Sequence, residues 1–109
     1  MLIRSKTKKE VRMFVIRDVF RAKAGKGKEL VTKFKTATPF MPNEGVSAQR
    51  ILTDTVANYW TIVMETEVEK LDTYFELLNT RPSNPKAEEA MKGYADIVES
   101  GYREIFRIE

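Results

Sequence analysis

The chain contains no histidine and no cysteine, and these two absences remove several kinds of chemistry at once. Without histidine, general acid–base catalysis by an imidazole is excluded. Without cysteine, disulfides and thiolate nucleophiles are excluded, and so are zinc sites built on nitrogen or sulfur ligands. Carboxylate, arginine, lysine, tyrosine, tryptophan and asparagine side chains remain as candidates, and we expect neither a metal nor a cofactor.

Long apolar segments are also missing from the chain. No run approaches the roughly 20 residues that a membrane-spanning helix requires, and residues 1–6 lack the apolar stretch of a secretory signal. We therefore expect a cytoplasmic protein with no membrane partner. Its 109 residues, of which 42% are hydrophobic and 32% charged, fit a single soluble globular domain.

Charge is distributed unevenly along the chain. Residues 1–35 contain twelve lysines and arginines against three acids, whereas residues 36–109 contain seven against thirteen. Opposite charges in the two parts can favour the pairing of two copies or steer a charged ligand, although a solvated surface explains the same pattern. The basic residues are not interleaved with aromatic residues, so nucleic-acid binding is not expected. We predict a flexible basic arm over residues 1–10 and a folded domain over residues 11–109.

Hydrophobic periodicity predicts the order strand, helix, strand, strand, helices, strand. The predicted strands cover residues 11–22, 46–54, 58–67 and 102–108, and the predicted helices cover about 28–38, 69–79 and 85–98. Asn84 before Pro85 is a helix start signal, and Gly101 is expected in a left-handed conformation at the end of the third helix. A βαββαβ order is typical of the α+β, ferredoxin-like fold, with a four-stranded antiparallel sheet and helices on one face.

Both sets of alternate residues in the first strand are apolar near its middle, with Val15 and Val19 in one set and Ile16 and Phe20 in the other. Helices can cover only one of these two faces. We therefore expect a second copy of the chain to cover the other face, which gives a homodimeric α/β barrel. Burying several large side chains at about 1.5–3 kcal/mol each can offset an association cost of about 4–15 kcal/mol.

The segment VRMFVIRDVFRAKAGKGKELVTKF resembles the opening of proteins of the dimeric α/β-barrel superfamily. The hairpin from Gly45 to Glu67 and the closing strand after Gly101 are similar to that superfamily as well. Its members include cofactor-independent antibiotic-biosynthesis monooxygenases, haem-degrading enzymes and stress-responsive proteins. The haem-degrading members use a histidine as iron ligand, so haem degradation is not expected here. Many monooxygenase-like members carry a tryptophan after the third strand and a histidine in the next helix, and residues 65–76 contain neither.

Asn58, Trp60 and Tyr94 are candidate ligand-binding residues. Trp60 can stack on a flat ligand while Asn58 donates a hydrogen bond to an oxygen of that ligand. The alternative is that Trp60 is a core aromatic and Asn58 a turn residue. Tyr94, like Tyr74 and Tyr102, can face a cavity and donate a proton, although its helical spacing fits a core position equally well.

Arg17 is the fourth candidate, because it lies with Asp18 in the middle of an apolar strand, where charge is costly unless it is paired. Arg17 can hold an anionic ligand between sheet and helices. Alternatively, an ion pair such as Arg17 with Glu104 fixes the strand register or the dimer interface. Arg50 and Arg103 are further candidate partners for this pair of charges.

Besides an interaction module that uses the basic arm at residues 1–10, two classes of function follow from these patterns and from the resemblance. The first is a small-molecule-binding homodimer that acts as an enzyme, as a cofactor-independent monooxygenase or an isomerase, on a flat, weakly acidic organic substrate. The second is a non-catalytic ligand-binding or stress-related protein. In both, a small apolar cavity between the sheet and the helices of each subunit is the expected binding site.

Overall fold

A single antiparallel sheet of four strands forms the centre of the fold. The computed structural model describes residues 13–79 and 84–109, and its strands are β1 (Phe14–Ala22), β2 (Val46–Thr53), β3 (Thr61–Val68) and β4 (Val98–Arg107). The strands lie side by side in the order β2-β3-β1-β4, and every neighbouring pair is antiparallel. The predicted α+β, ferredoxin-like fold is confirmed. The predicted arm at residues 1–10 lies outside the described residues.

The described residues form four α-helices: α1 (Gly27–Ala37), α2 (Leu71–Asn79), α3 (Pro85–Ala90) and α4 (Tyr94–Ile97). Of these, α1, α2 and α4 contact the sheet, and α3 packs against α1. The apolar stripe predicted for the first helix is confirmed, because Leu30, Phe34 and Ala37 are its buried residues. After α1 the chain makes one 3₁₀ turn, Thr38–Phe40, which contains Pro39. Proline at this point cannot donate the backbone hydrogen bond that would continue an α-helix.

The third predicted helix is wrong as a continuous element, because Gly93 divides it into α3 and α4. Gly93 adopts a φ of 83°, in the left-handed region that favours glycine. Gly101 lies within β4 instead of closing a helix. The start signal is confirmed, since the Asn84 side chain accepts a hydrogen bond from the Lys86 backbone N–H at 2.8 Å and Pro85 opens α3.

The third strand begins at Thr61, three residues later than predicted, so Asn58 and Trp60 lie in the β2–β3 loop. Trp60 has a φ of 63°, which is rare for a residue with a large side chain and is incompatible with an extended strand. Its backbone carbonyl still accepts a hydrogen bond from the Ala22 N–H at 2.9 Å. The β2–β3 loop is therefore hydrogen-bonded to the end of β1, next to the first regular pair of β1 and β3, Arg21 with Thr61.

Alternation along the strands gives the sheet two different faces. The helix face carries Ile16, Asp18, Phe20 and Ala22 of β1, and its buried residues form two hydrophobic clusters with the helices. The open face carries Val15, Arg17, Val19 and Arg21 of β1 and their partners on the other strands. None of the helices within the described ranges is long and apolar enough to span a membrane.

Candidate functional site

A cavity of about 460 Å³ lies between the helix face of the sheet and the helices. Its walls come from the 3₁₀ turn, from α1 and α2, from all four strands and from the segment around Met91 and Tyr94. We call it the sheet–helix cavity. Its size lies within the usual range of small-molecule sites, which are mostly apolar with a few polar groups. It matches the position of the cavity expected from the sequence.

Three polar side chains form a connected cluster in the wall of this cavity. Asp18 of β1 and Arg103 of β4 are direct neighbours across the two strands, and the Arg103 Nε donates to Asp18 Oδ1 at 2.5 Å. The Tyr74 hydroxyl of α2 donates to the other carboxylate oxygen, Oδ2, at 3.1 Å. The Arg103 guanidinium also lies 5.3 Å from the centre of the Tyr74 ring. One carboxylate thus holds a cation and a phenol in fixed positions.

The electrostatics of this cluster keep the Tyr74 phenol protonated. Burial raises the pKa of Tyr74 strongly, and the negative charge of Asp18 raises it further. Burial also raises the pKa of Tyr94, again with a contribution from Asp18. For Arg103, burial lowers the pKa, but the hydrogen bond and the charge of Asp18 outweigh that effect and raise it overall. Both phenols can therefore donate hydrogen bonds near neutral pH, and neither is suited to act as a base.

Aromatic and thioether side chains line the apolar part of the cavity. The Phe20 and Phe34 ring centres are 4.9 Å apart, and the Tyr94 ring lies 6.2 Å from Phe20 in an edge-on arrangement. These separations are typical of favourable aromatic pairs. Three methionines, Met41, Met64 and Met91, complete this side of the cavity. Methionine adapts its shape readily, so such a wall can fit flat molecules of different outlines.

The four residues predicted as ligand-binding do not converge on this cavity. Tyr94 lines it, whereas Asn58 and Arg17 line a groove on the opposite face of the sheet, and Trp60 is absent from the lining of both. The hypothesis that Arg17 holds a ligand between sheet and helices is corrected, because Asp18, and not Arg17, has the helix-facing position in β1. The ion pair named in the alternative is present, since Arg17 Nε lies 3.4 Å from Glu104 Oε1, whereas its role in fixing the register or a dimer interface stays a prediction.

The groove that contains Arg17 and Asn58 has a volume of about 550 Å³ and lies on the open face beside the β2–β3 loop. Its floor includes Val19 and Val63, and Tyr102 lies along its edge on β4. Arg17 is already engaged in ion pairs there. The groove therefore has fewer polar groups available to bind a ligand than its residue types indicate.

Asp18 and Arg103 were not expected in a ligand site, because their sequence positions indicated only charges in strands that need partners. Tyr74 was expected either to face a cavity or to occupy a core position, and it lines the sheet–helix cavity. Alternation places Asp18 on the same face of β1 as Ile16 and Phe20, but only the sheet register brings Arg103 beside it and only the helix packing brings Tyr74. Among the residues the structure describes, no group of three or more acidic side chains is arranged to hold a metal ion.

No family model matches the chain, and no curated protein matches it. Solved structures do match. A nipsnap family protein of unknown function from Agrobacterium tumefaciens str. C58 is 14% identical, with a TM-score of 0.73 over 88% of this chain and 87% of that one. A candidate antibiotic biosynthesis monooxygenase from Chloroflexus aurantiacus J-10-fl is 13% identical, with a TM-score of 0.66 over 89% and 93% of the two chains.

A conserved protein from Methanosarcina mazei Go1 is 12% identical, with a TM-score of 0.68 over 91% of this chain and 95% of that one. The chain has the ferredoxin-like α/β fold of these proteins. The resemblance expected from the sequence is thereby confirmed at the level of the fold. Identities this low carry no residue-level correspondence, so function has to be argued from the site itself.

Proposed function

We propose that the protein is a small-molecule-binding homodimer whose ligand is a flat organic molecule held in the sheet–helix cavity. The observation that carries this proposal is the cavity itself, with the cluster of Asp18, Tyr74 and Arg103 in a wall that is otherwise mostly aromatic and aliphatic. In this arrangement the ligand body lies against Phe20 and Phe34. A polar group of the ligand faces the cluster, which fixes its orientation.

The charge of the cluster favours a neutral or weakly acidic ligand. Asp18 and Arg103 neutralise each other, so a ligand with a full charge would leave that charge uncompensated in a partly buried site. The Tyr94 hydroxyl and the remaining guanidinium N–H groups of Arg103 are the donors for a ligand oxygen. A phenol or a ketone attached to fused rings has the required shape and polarity.

Binding of 2-naphthol, followed by isothermal titration calorimetry, tests this proposal. Met91→Trp places a larger side chain in the wall of the sheet–helix cavity and is expected to lower the affinity at least tenfold. Val56→Trp is the matched control, because Val56 lies in the groove on the open face and is almost fully exposed. Equal affinity of the two variants, or no binding to the wild type, would contradict the proposed site.

The homodimer is supported by the large apolar side chains on the open face. Tyr102 and Phe106 of β4 are 62% and 52% exposed, and they flank Val15 and Val19 of β1 across the strand pair. Large exposed apolar side chains grouped on one face of a sheet indicate an interaction site. Light scattering on the full chain is expected to give the mass of two copies. A mass of one copy at micromolar concentration would remove this part of the proposal.

A second candidate function is cofactor-independent monooxygenation. The observation that favours it is the carboxylate of Asp18 in the cavity wall, where it can accept a proton from an acidic substrate. In such a reaction a CH₂ group between aryl rings becomes a ketone, one oxygen atom of O₂ enters the substrate and the other leaves as water. The substrate thus supplies all the electrons.

Oxygen uptake with anthrone, a flat and weakly acidic compound of this class, tests the catalytic candidate. Uptake above the rate without protein is expected, and Asp18→Asn should reduce it. If uptake equals the rate without protein while 2-naphthol still binds, the catalytic candidate fails and the binding function stands. An isomerase is the remaining enzyme class expected from the sequence. The cytoplasmic location stays a prediction that cell fractionation tests.

A further inference from the structure

A row of four charged side chains crosses the open face from one edge of the sheet to the other. Glu65 of β3 is the register partner of both Arg50 of β2 and Arg17 of β1, and Arg17 is in turn the partner of Glu104 on β4. Read in strand order, the row is Arg50, Glu65, Arg17, Glu104. The charges therefore alternate strictly, and the row as a whole is neutral.

Short contacts connect the members of this charge row. Glu65 accepts from Arg50 at 2.8 Å through Oε1 and from Arg17 at 2.6 Å through Oε2. Its side chain is only 10% exposed, although it lies on the face that no described helix covers. Arg50 and Glu104 occupy the two ends of the row, on the edge strands. Each of them has its neighbour in the row on one side only.

Apolar residues lie on both sides of the charge row. On one side, Val15 of β1 lies between Phe106 of β4 and the charged Glu67 of β3. On the other side, Val63 is opposite Val19 and Leu52, and Tyr102 is opposite Val19. A line of four charges beside these apolar residues is costly in a face that packs against another surface, unless that surface supplies charges of opposite sign at the same position along the strands.

A second copy of this chain supplies those charges in one orientation. When the second copy is rotated by 180° about an axis parallel to the strands, its row keeps the same position along the strands. The order of the charges within that row is reversed. Arg50 then faces Glu104 of the second copy, and Glu65 faces Arg17 of the second copy. We infer that the charge row sets the orientation in which two copies pair, with β2 of one copy over β4 of the other. Sheets packed face to face in this way are aligned to within about 30°.

The other two-fold arrangement of the same faces is disfavoured by the same row. If the axis ran along the row, each strand would lie over its own equivalent, and Arg50 would face Arg50 of the second copy. All four positions would then bring like charges together, which is strongly unfavourable in an interface. The alternation thus selects between two arrangements that the apolar residues alone would allow. An isologous interface of this kind is the commonest form of protein dimer.

This inference rests on the proposed homodimer, and charge reversal at the two ends of the row tests it. Arg50→Glu and Glu104→Arg each place like charges across the proposed interface twice. Each variant alone is expected to dissociate at least about tenfold more readily than the wild type. An equimolar mixture of the two variants is expected to form a heterodimer with near wild-type affinity, because every contact between the two copies at the row ends is again between opposite charges.

The mixture separates effects between copies from effects within one copy. Arg50 and Glu104 lie three strand spacings apart in one sheet, about 14 Å, so they do not compensate for each other inside a protomer. Analytical ultracentrifugation gives the masses, and circular dichroism shows that each variant is folded. A mixture of the Arg50→Glu variant with wild type is the control. This mixture is expected to regain the wild-type dimer affinity only if the two-fold axis of the dimer runs along the row.

The outcomes are distinct. Recovery of the dimer in the mixture of the two variants supports the inferred orientation. If the wild type is dimeric but the single variants also stay dimeric, the inferred role of the charge row is wrong. The same holds if the variants stay monomeric after they are mixed. In both cases the proposed homodimer is still supported. A monomeric wild type overturns both the role of the charge row and the homodimer. Ligand binding in the sheet–helix cavity is measured separately and is not affected by any of these results.

Discussion

On the helix face of the sheet, Asp18 is 17% exposed and pairs with one cation, Arg103, whereas on the open face Glu65 is 10% exposed and pairs with two, Arg17 and Arg50. The helix-face carboxylate uses its second oxygen to accept a hydrogen bond from a phenol that α2 supplies. None of the described helices covers the open-face carboxylate, and both of its partners come from neighbouring strands. The two faces of one sheet therefore hold their carboxylates in different ways.

Arg17 and Asp18 are consecutive in β1, yet they belong to different surfaces with different chemistry. Successive side chains of a strand point to opposite faces, so a pair of adjacent charges does not form one site. The helix face combines its charges with a mostly apolar cavity, which suits a small molecule. The open face combines its charges with exposed apolar side chains, which suits another protein surface. Four predictions test this division, from the largest expected effect to the smallest.

The largest effect is expected from truncating a core residue on the helix face. Ile62 is 1% exposed, and Ile62→Ala should reduce the free energy of unfolding by about 2–5 kcal/mol through lost burial and a cavity. Tyr102→Ala on the open face should cost the protomer much less, because that side chain is mostly exposed. Urea unfolding measures the first effect, and the dimer dissociation constant measures the second. Equal losses of protomer stability would contradict the division between the faces.

The next effect concerns the acceptor of the buried phenol. Asp18→Ala leaves the Tyr74 hydroxyl, which is buried, without its carboxylate partner, and we expect a loss of about 1–3 kcal/mol. Tyr74→Phe removes the donor instead and should cost about 1 kcal/mol. If the hydrogen bond dominates, the double variant should lose less than the sum of the single losses. Strict additivity in urea unfolding would show that the two groups do not act together.

A third effect is the response of the helix face to high pH. Because the pKa of Tyr74 is raised in the folded state, the unfolded chain loses this proton first as the pH rises. The contribution of Tyr74 to the stability should therefore be constant below a pH of about 10, the pKa of an unperturbed tyrosine, and fall above it. Urea midpoints between pH values of about 8 and 11 should fall more steeply for the wild type than for Tyr74→Phe. Parallel curves for the two proteins would contradict this assignment.

The smallest effect is expected at the end of the charge row. Arg50 is 67% exposed in its side chain, so its ion pair with Glu65 is screened by water. Arg50→Ala should change the stability of a dilute, dissociated protomer by less than about 1 kcal/mol. Its effect on dimer dissociation should be the larger of the two. A protomer stability loss of several kcal/mol would place the function of this residue within one copy.

The sequence predicted the element order and the single-sided packing of the helices, because both depend on local periodicity. The pairing of Arg17 with Glu104 was also predicted, since charges in the middle of apolar strands need partners. The break at Gly93 was missed because the apolar spacing continues from Met91 through Tyr94 to Ile97. Only the backbone conformation distinguishes two short helices from one long helix there.

The candidate site was predicted less well than the fold. Both faces of β1 carry apolar residues, so alternation alone could not decide whether Arg17 or Asp18 faces the helices. That choice depends on the register with β3 and β4 and on where α2 lies. Asn58 and Trp60 were predicted to lie in the third strand. Because Trp60 has a left-handed backbone conformation, β3 begins only at Thr61, and both residues lie in the loop before it.

A crystal structure of the full chain soaked with 2-naphthol tests the division between the two faces most directly. The expected result is a naphthol ring against Phe20 and Phe34, its hydroxyl at the cluster of Asp18, Tyr74 and Arg103, and a second copy seated on the open face. Naphthol in the groove beside the β2–β3 loop, with the open face exposed to solvent, would contradict the assignment of one face to the ligand and the other to the second copy.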